Sequence, residues 1–286
     1  METIPARRIG KGEALIKSVS LFVTSGRKAS VAAAAAAAAW KSRTERQGDG
    51  VSVKEARSRK MGDEAKCLPR IVEALRRNTH FSRQETEALV RVYQKLVASS
   101  ADMMAGQAAG SGQGALLTSG GAAPGVCEGL DRAVFRELLH NAFDLVTEDV
   151  LMDRIFCAFD RTCCGSVRLE DWMSGLSVFL RGTLEERTAF CFLVYDLNND
   201  GFITRDEMFS LLKNCLMKQP GDEDPDEGVK DLVELVLRKL DTDRDGKISF
   251  QDFQTAVREE QLLLEAFGLC LPSEGACQTF MATLCS

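Results

Sequence analysis

Residues 196–207 read DLNNDGFITRDE, and this stretch decides the fold. Asp196, Asn198 and Asp200 stand at alternate positions 1, 3 and 5, Gly201 follows at 6, and Glu207 closes the run at 12. A hard divalent cation such as calcium takes six to eight oxygens, and a twelve-residue loop can supply them from positions 1, 3, 5, 7, 9 and 12 when glycine makes the turn at 6. Phe202 fills position 7 through its backbone carbonyl, Thr204 stands at 9, and the apolar Ile203 at 8 is placed to pair with a neighbouring loop. Every oxygen donor that the ion requires is present.

The frame recurs at residues 241–252, DTDRDGKISFQD. Asp241, Asp243 and Asp245 take positions 1, 3 and 5, Gly246 the turn, Lys247 the carbonyl position, Ser249 position 9 and Asp252 the close. Aspartate is one methylene shorter than glutamate, so this loop must contract to close on an ion, which favours smaller, octahedral Mg²⁺ more than a Glu-closed loop does. Apolar residues precede each leading aspartate at the same offsets: Val233, Val236, Leu237 and Leu240 before Asp241, and Cys191, Phe192 and Tyr195 before Asp196, with Thr188 the polar substitute. That spacing buries one face of a helix. Two helix-loop-helix units of the EF-hand type follow, with Ca²⁺ at two sites and Mg²⁺ competing at the Asp241 loop.

Two further units carry the pattern without the chemistry. Met152, Ile155, Phe156 and Phe159 precede Asp160, and Gly165 and Val167 keep the framework, but Thr162, Cys164 and Arg168 replace expected donors before Asp171 closes the loop. A thiol is a poor calcium ligand and an arginine beside the site opposes a cation. A fourth unit is suggested by the helical pattern Gln84–Val97 and by Leu130, Asp131 and Phe135 placed as the end of a loop, with Val134 where the closing carboxylate belongs. The expected fold is all-α: two EF-hand lobes of four helix-loop-helix units, two of them degenerate. Expected boundaries are a disordered basic and Ala-rich extension over 1–67, an N-terminal lobe over 68–182 with a flexible insert at 101–126, a C-terminal lobe over 183–272, and a tail over 273–286.

Composition excludes several other classes. The net charge is −6, yet residues 1–60 carry thirteen Lys and Arg against five acids, so the body is distinctly acidic and unsuited to nucleic acid. The basic extension suits a polyanion such as tubulin or anionic lipid. Ten cysteines without C-x-x-C spacing read as reduced thiols. The Val31–Trp40 run is too short and alanine-rich to span a membrane, and Glu2 leaves no acceptor for N-myristoylation. With His80 and His140 the only histidines, and no zinc-protease helix, phosphate loop or nucleophile signature, the chain reads as no enzyme.

The segments FLRGTLEERTAFCFLVYDLNNDGFITRDEM (179–208), KQPGDEDPDEGVKDLVE (218–234) and REEQLLLEAFGLCLP (258–272) resemble the calaxins, ciliary EF-hand proteins related to the neuronal calcium sensors. The likeness runs from about Leu68 to Pro272. It implies a calcium sensor of the cytoplasm and ciliary or flagellar axoneme that binds the outer-arm dynein heavy chain or its docking components and adjusts motility. It also implies Asp196, Asn198, Asp200, Phe202 and Glu207 as one ligand set, and Asp241, Asp243, Asp245, Lys247 and Asp252 as the other. The Asp160 hand is poorer in donors than the family pattern, and the extension and insert have no counterpart there. Two rival readings keep the fold: a calcineurin B-like or neuronal calcium sensor-like regulatory subunit of a cytosolic enzyme, and a passive calcium or magnesium buffer.

Overall fold

A computed structural model describes residues 69–108, 129–213 and 226–284. The expected extension over 1–67 and most of the expected insert fall outside these. Ten α-helices order the described chain: α1 (69–77), α2 (Arg83–Ala108), α3 (Arg132–Phe143), α4 (Asp149–Phe159), α5 (Leu169–Arg181), α6 (Leu184–Tyr195), α7 (Arg205–Leu212), α8 (Glu227–Leu240), α9 (Phe250–Glu259) and α10 (Glu274–Leu284). Two-residue strands β1 (Phe202–Ile203) and β2 (Ile248–Ser249) are antiparallel. The fold is all-α and of the EF-hand type, with helix pairs α4/α5, α6/α7 and α8/α9 flanking three loops and α2 and α3 preceding them.

The helices begin and end where their sequences dictate. Thr183 caps α6 through a reciprocal box with Glu186, satisfying two amides that would otherwise lack partners. Helix α8 buries Val229, Leu232, Val233, Val236, Leu237 and Leu240, the stripe that its spacing requires. Helix α2 continues to Ala108, seven residues past the expected start of the insert at 101, the helix-favouring Ala, Met and Gln of that stretch outnumbering Asp102 and Gly106, which oppose it.

The chain divides into two compact units. One gathers Val146–Ile155 and Thr183–Leu271; the other gathers, of the described residues, 69–145, Phe156–Gly182 and 272–284. In the first, Tyr195 is wholly buried and donates its hydroxyl to the carbonyls of Gly268 (2.7 Å) and Leu264 (3.2 Å), tying a short 3₁₀ turn (Gln261–Glu265) to the end of α6. Cys270 Sγ lies 3.3 Å from that hydroxyl and 3.1 Å from Cys191 Sγ; burial pushes the Cys191 thiol and the Tyr195 phenol well up, so both stay protonated. Gly268, at φ +128°, leaves room for Leu151, whose Cδ1 would sit 2.5 Å from any Cβ there.

In the second unit, Phe159 packs edge-on against Phe135 and Phe179, and Trp172 lies against Tyr93. Leu130 and Val167 exchange two backbone hydrogen bonds of 2.9 Å, so the fourth, donor-poor unit pairs with the Asp160 loop at position 8. The stretch over 273–286, expected as a tail, instead forms α10 across residues 274–284. Its Ala276, Cys277 and Phe280 are buried against α2, α3 and α5, with the Phe280 ring centre 4.8 Å from that of Phe143 and the rings tilted. Those three apolar residues lie on one helical face, which makes burial more favourable than exposure.

Candidate metal centre

The three leading aspartates begin loops of one backbone form. Asn199, Arg244 and Cys163 at position 4 have φ of 59°, 62° and 51°, and Gly201, Gly246 and Gly165 at position 6 have φ of 87°, 90° and 79°. Side chains with a Cβ seldom adopt that conformation, so its repetition at two positions of each loop reflects a common wrapping around position 1. The Gly201 amide donates to Asp196 Oδ2 (2.9 Å), the Gly246 amide to Asp241 Oδ2 (3.0 Å) and the Gly165 amide to Asp160 Oδ2 (2.7 Å).

In the first loop, Asp196 and Glu207 are buried, at 4% and 7% exposure, while Asn198 and Asp200 are exposed and Phe202 and Thr204 half-buried. Asp196 Oδ1 also accepts from the Asp200 amide (3.2 Å), and Asn198 Nδ2 donates to Asp200 Oδ2 (3.0 Å). Glu207 reaches back across the loop: Oε1 accepts from the amides of Leu197 (3.0 Å) and Asn198 (3.1 Å), and Oε2 from the amide and hydroxyl of Thr204 (both 2.8 Å). The sequence-predicted donors Asp196, Asn198, Asp200, Thr204 and Glu207 are thus brought to one loop, with Phe202 in β1.

The second loop repeats the arrangement with a shorter closing side chain. Asp252 Oδ1 accepts from the Thr242 amide (3.3 Å) and hydroxyl, and Oδ2 from the Ser249 amide (3.1 Å) and hydroxyl (2.5 Å). Burial pushes the Asp252 carboxyl up, but the bonds from Ser249 and Thr242 outweigh it and hold the group below its usual range. Carboxylate oxygens of Asp241, Asp243 and Asp245 lie within 4.8 Å of one another, the one such acidic cluster among the described residues. The Asp245 amide favours ionised Asp243, yet desolvation and the carboxylates of Asp245, Asp252 and Asp241 prevail and raise its pKa. Crowded like charges of this kind are what a divalent cation relieves, so the donor set fits Ca²⁺ or Mg²⁺.

The Asp160 loop keeps the form and lacks the donors. Asp160 accepts from the Cys164 amide (3.1 Å) and the Thr162 hydroxyl (3.3 Å), and Cys164 Sγ turns to the Ser166 carbonyl (3.3 Å). Burial raises the Asp171 carboxyl, with Arg161 opposing and Asp160 and Glu170 adding to the rise.

The two donor-rich loops are fastened together. Phe202 pairs with Ser249 and Ile203 with Ile248. Lys247 Nζ stands 3.3 Å from the centre of the Phe202 ring, and Arg205 donates to the Gly246 carbonyl (2.9 Å) and to Glu234 on α8 (2.9 Å). A contact that sequence reading missed comes from α4: Arg154 reaches the carbonyls of Leu193 (2.8 Å), Val194 (3.3 Å) and Asp196 (2.5 Å) and Asn199 Oδ1 (2.8 Å).

Residues 185–258 match the family model of an EF-hand domain pair. Calaxin of Xenopus laevis is 46% identical over 217 residues, which span 76% of this chain and 91% of its own length. Calaxin of Homo sapiens is 46% identical over 218 residues, 76% of this chain and 93% of its own, and that of Mus musculus 47% over the same span. The chain belongs to the calaxin family. It is a calcium-binding protein of the calaxin type, as the EF-hand pair and these relatives together support. No helix of this calaxin, among the described residues, is long and apolar enough to cross a membrane.

Proposed function

We propose that this calaxin is a calcium sensor of the ciliary axoneme, in which two ions bind the Asp196 and Asp241 loops and thereby control a contact with outer-arm dynein or its docking components. Side chains of Asp196, Asn198, Asp200 and Glu207, with the Phe202 carbonyl and Thr204 at position 9, would hold the first ion. Asp241, Asp243, Asp245 and Asp252, with the Lys247 carbonyl and Ser249, would hold the second. When bound, the ion supplies positive charge that draws position 12 toward positions 1, 3 and 5. The observation carrying this reading is that two loops with full donor sets are joined through β1 and β2 in one unit.

Movement of Glu207 and Asp252 toward an ion would carry the starts of α7 and α9 with them, because both residues lie in the first turn of their helices. The helices then part and uncover apolar surface suited to an amphipathic helix of the motor. Sensor hands respond at about 10⁻⁷ to 10⁻⁵ M calcium. Calorimetric titration of the full chain, with about millimolar magnesium present, should give two binding events in that range. Glu207→Gln and Asp252→Asn should each remove one. Absence of calcium binding would end the sensor reading, and calcium-independent recovery from axonemal extracts would end the regulatory part of it. Asp252 supports a narrower second reading, in which magnesium occupies the Asp241 loop at rest.

A further inference from the structure

Arg154 does not belong to either donor-rich hand. It lies on α4, whose sequence leads into the Asp160 loop, yet its guanidinium is committed to the Asp196 loop some forty residues away. Nε donates to the Val194 carbonyl at 3.3 Å, and Nη2 lies within 2.8 Å of the Leu193 carbonyl, 2.5 Å of the Asp196 carbonyl and 2.8 Å of Asn199 Oδ1. The Leu193 and Val194 carbonyls belong to the last turn of α6 and that of Asp196 to its C-cap, where peptide oxygens lack partners within the helix. Asn199 is the position-4 residue that sits at φ 59°. One planar, multiply donating group therefore holds the backbone of position 1 and the side chain of the residue with the least favourable backbone of the loop.

The Asp241 loop is organised differently. Its position-4 residue, Arg244, donates its amide to Asp241 Oδ1 at 2.7 Å, and the arginine that reaches it from outside, Arg205, meets the Gly246 carbonyl. The two sites thus differ in what holds position 1 before an ion arrives.

We infer that Arg154 is a positioning residue of the Asp196 site: it fixes positions 1 and 4 in their ion-binding form and so raises calcium affinity at that loop alone. This rests on the Asp196 loop being a calcium site. Two effects compete. The guanidinium charge repels an incoming cation, while its bonds remove conformational freedom that binding would otherwise have to quench. The bonds decide the sign here, because the charge is spent on helix-end carbonyls that carry partial negative charge of their own, and Asp196, Asp200 and Glu207 dominate the field inside the loop.

The experiment uses the full chain with Arg154→Met and Arg154→Lys, in the natural background and with Asp252→Asn to isolate the first site. Arg154→Met should weaken calcium binding at the Asp196 loop about tenfold, or about 1.4 kcal/mol. In a Glu207→Gln background the Asp241 loop should be unmoved. Lysine keeps the charge but loses the fork, so Arg154→Lys should resemble the methionine variant; wild-type affinity in it would show that charge alone matters and overturn the inference. Affinity unchanged or tightened in Arg154→Met would overturn it as well. Amide hydrogen exchange of residues 197–201 without calcium gives a second arm: faster exchange in both variants is expected, and unaltered exchange removes the clamp whatever calcium does. Should the wild-type Asp196 loop bind no calcium, the sensor reading and the positioning role fall together.

Discussion

Glu207 and Asp252 perform the same bridge with side chains that differ by one methylene. Each accepts from the amide at position 2 and from the amide and hydroxyl at position 9, but the position-2 contact lengthens from 3.0 Å at Glu207 to 3.3 Å at Asp252. The shorter group makes the longer amide contact and takes the Thr242 hydroxyl as well. Asp252→Glu should extend that reach and raise preference for calcium over magnesium at the second site by roughly tenfold, read from competitive calorimetry. Equal selectivity before and after would place the discrimination elsewhere in the loop. Such donors were legible because an EF-hand writes its ligands at fixed spacing within twelve residues. Arg154 was not, since its partners lie far away in sequence and nothing local distinguishes an arginine that clamps carbonyls from one on a solvated helix face.

The Asp160 hand separates backbone form from binding chemistry. Its position-4 and position-6 torsions match those of the donor-rich loops, and its Leu130–Val167 pairing stands where β1 and β2 stand in the other pair. The helix-loop-helix therefore persists on the strength of its buried face: Met152, Ile155, Phe156 and Phe159 are all in the core. Restoring oxygen donors alone should then suffice to make a site. A variant with Thr162→Asp, Cys164→Asp and Arg168→Thr is expected to bind a third calcium more tightly than about 1 mM, seen as an added event in calorimetry. Failure to gain that event, with helicity retained, would mean that the half-buried Asp171 cannot close the loop. The hands were readable from apolar periodicity. Helix α10 was not, because Ala276, Cys277 and Phe280, the residues that it buries, span little more than one turn, too short a pattern to separate a packed helix from a loose end.

Across the whole molecule, each of the two units draws on separated stretches of chain, and α10 supplies the second unit with Phe280, at 5% exposure. Phe280→Ala should lower stability by about 3–5 kcal/mol in chemical denaturation, the usual cost of deleting a buried ring. The same unit has an acid-sensitive tie between Arg181 and Glu85, with a contact of 2.5 Å. Burial alone would raise the Glu85 carboxyl, but hydrogen bonds from Arg181 and Ser82 outweigh it and lower its pKa. Its stabilising contribution is therefore complete above the unfolded glutamate value of about 4.3 and disappears as pH falls through the lowered folded value. Glu85→Gln should flatten that part of the Tm profile, and an unchanged slope would show that other carboxylates carry it. The route of the chain has one further consequence. A ribosome adds about 5–20 residues per second, so on the order of ten seconds pass between emergence of α5 and arrival of α10. Through that interval the nascent second unit must wait with Phe143 lacking its Phe280 neighbour, and a late stop codon would damage the part of the protein that was translated first.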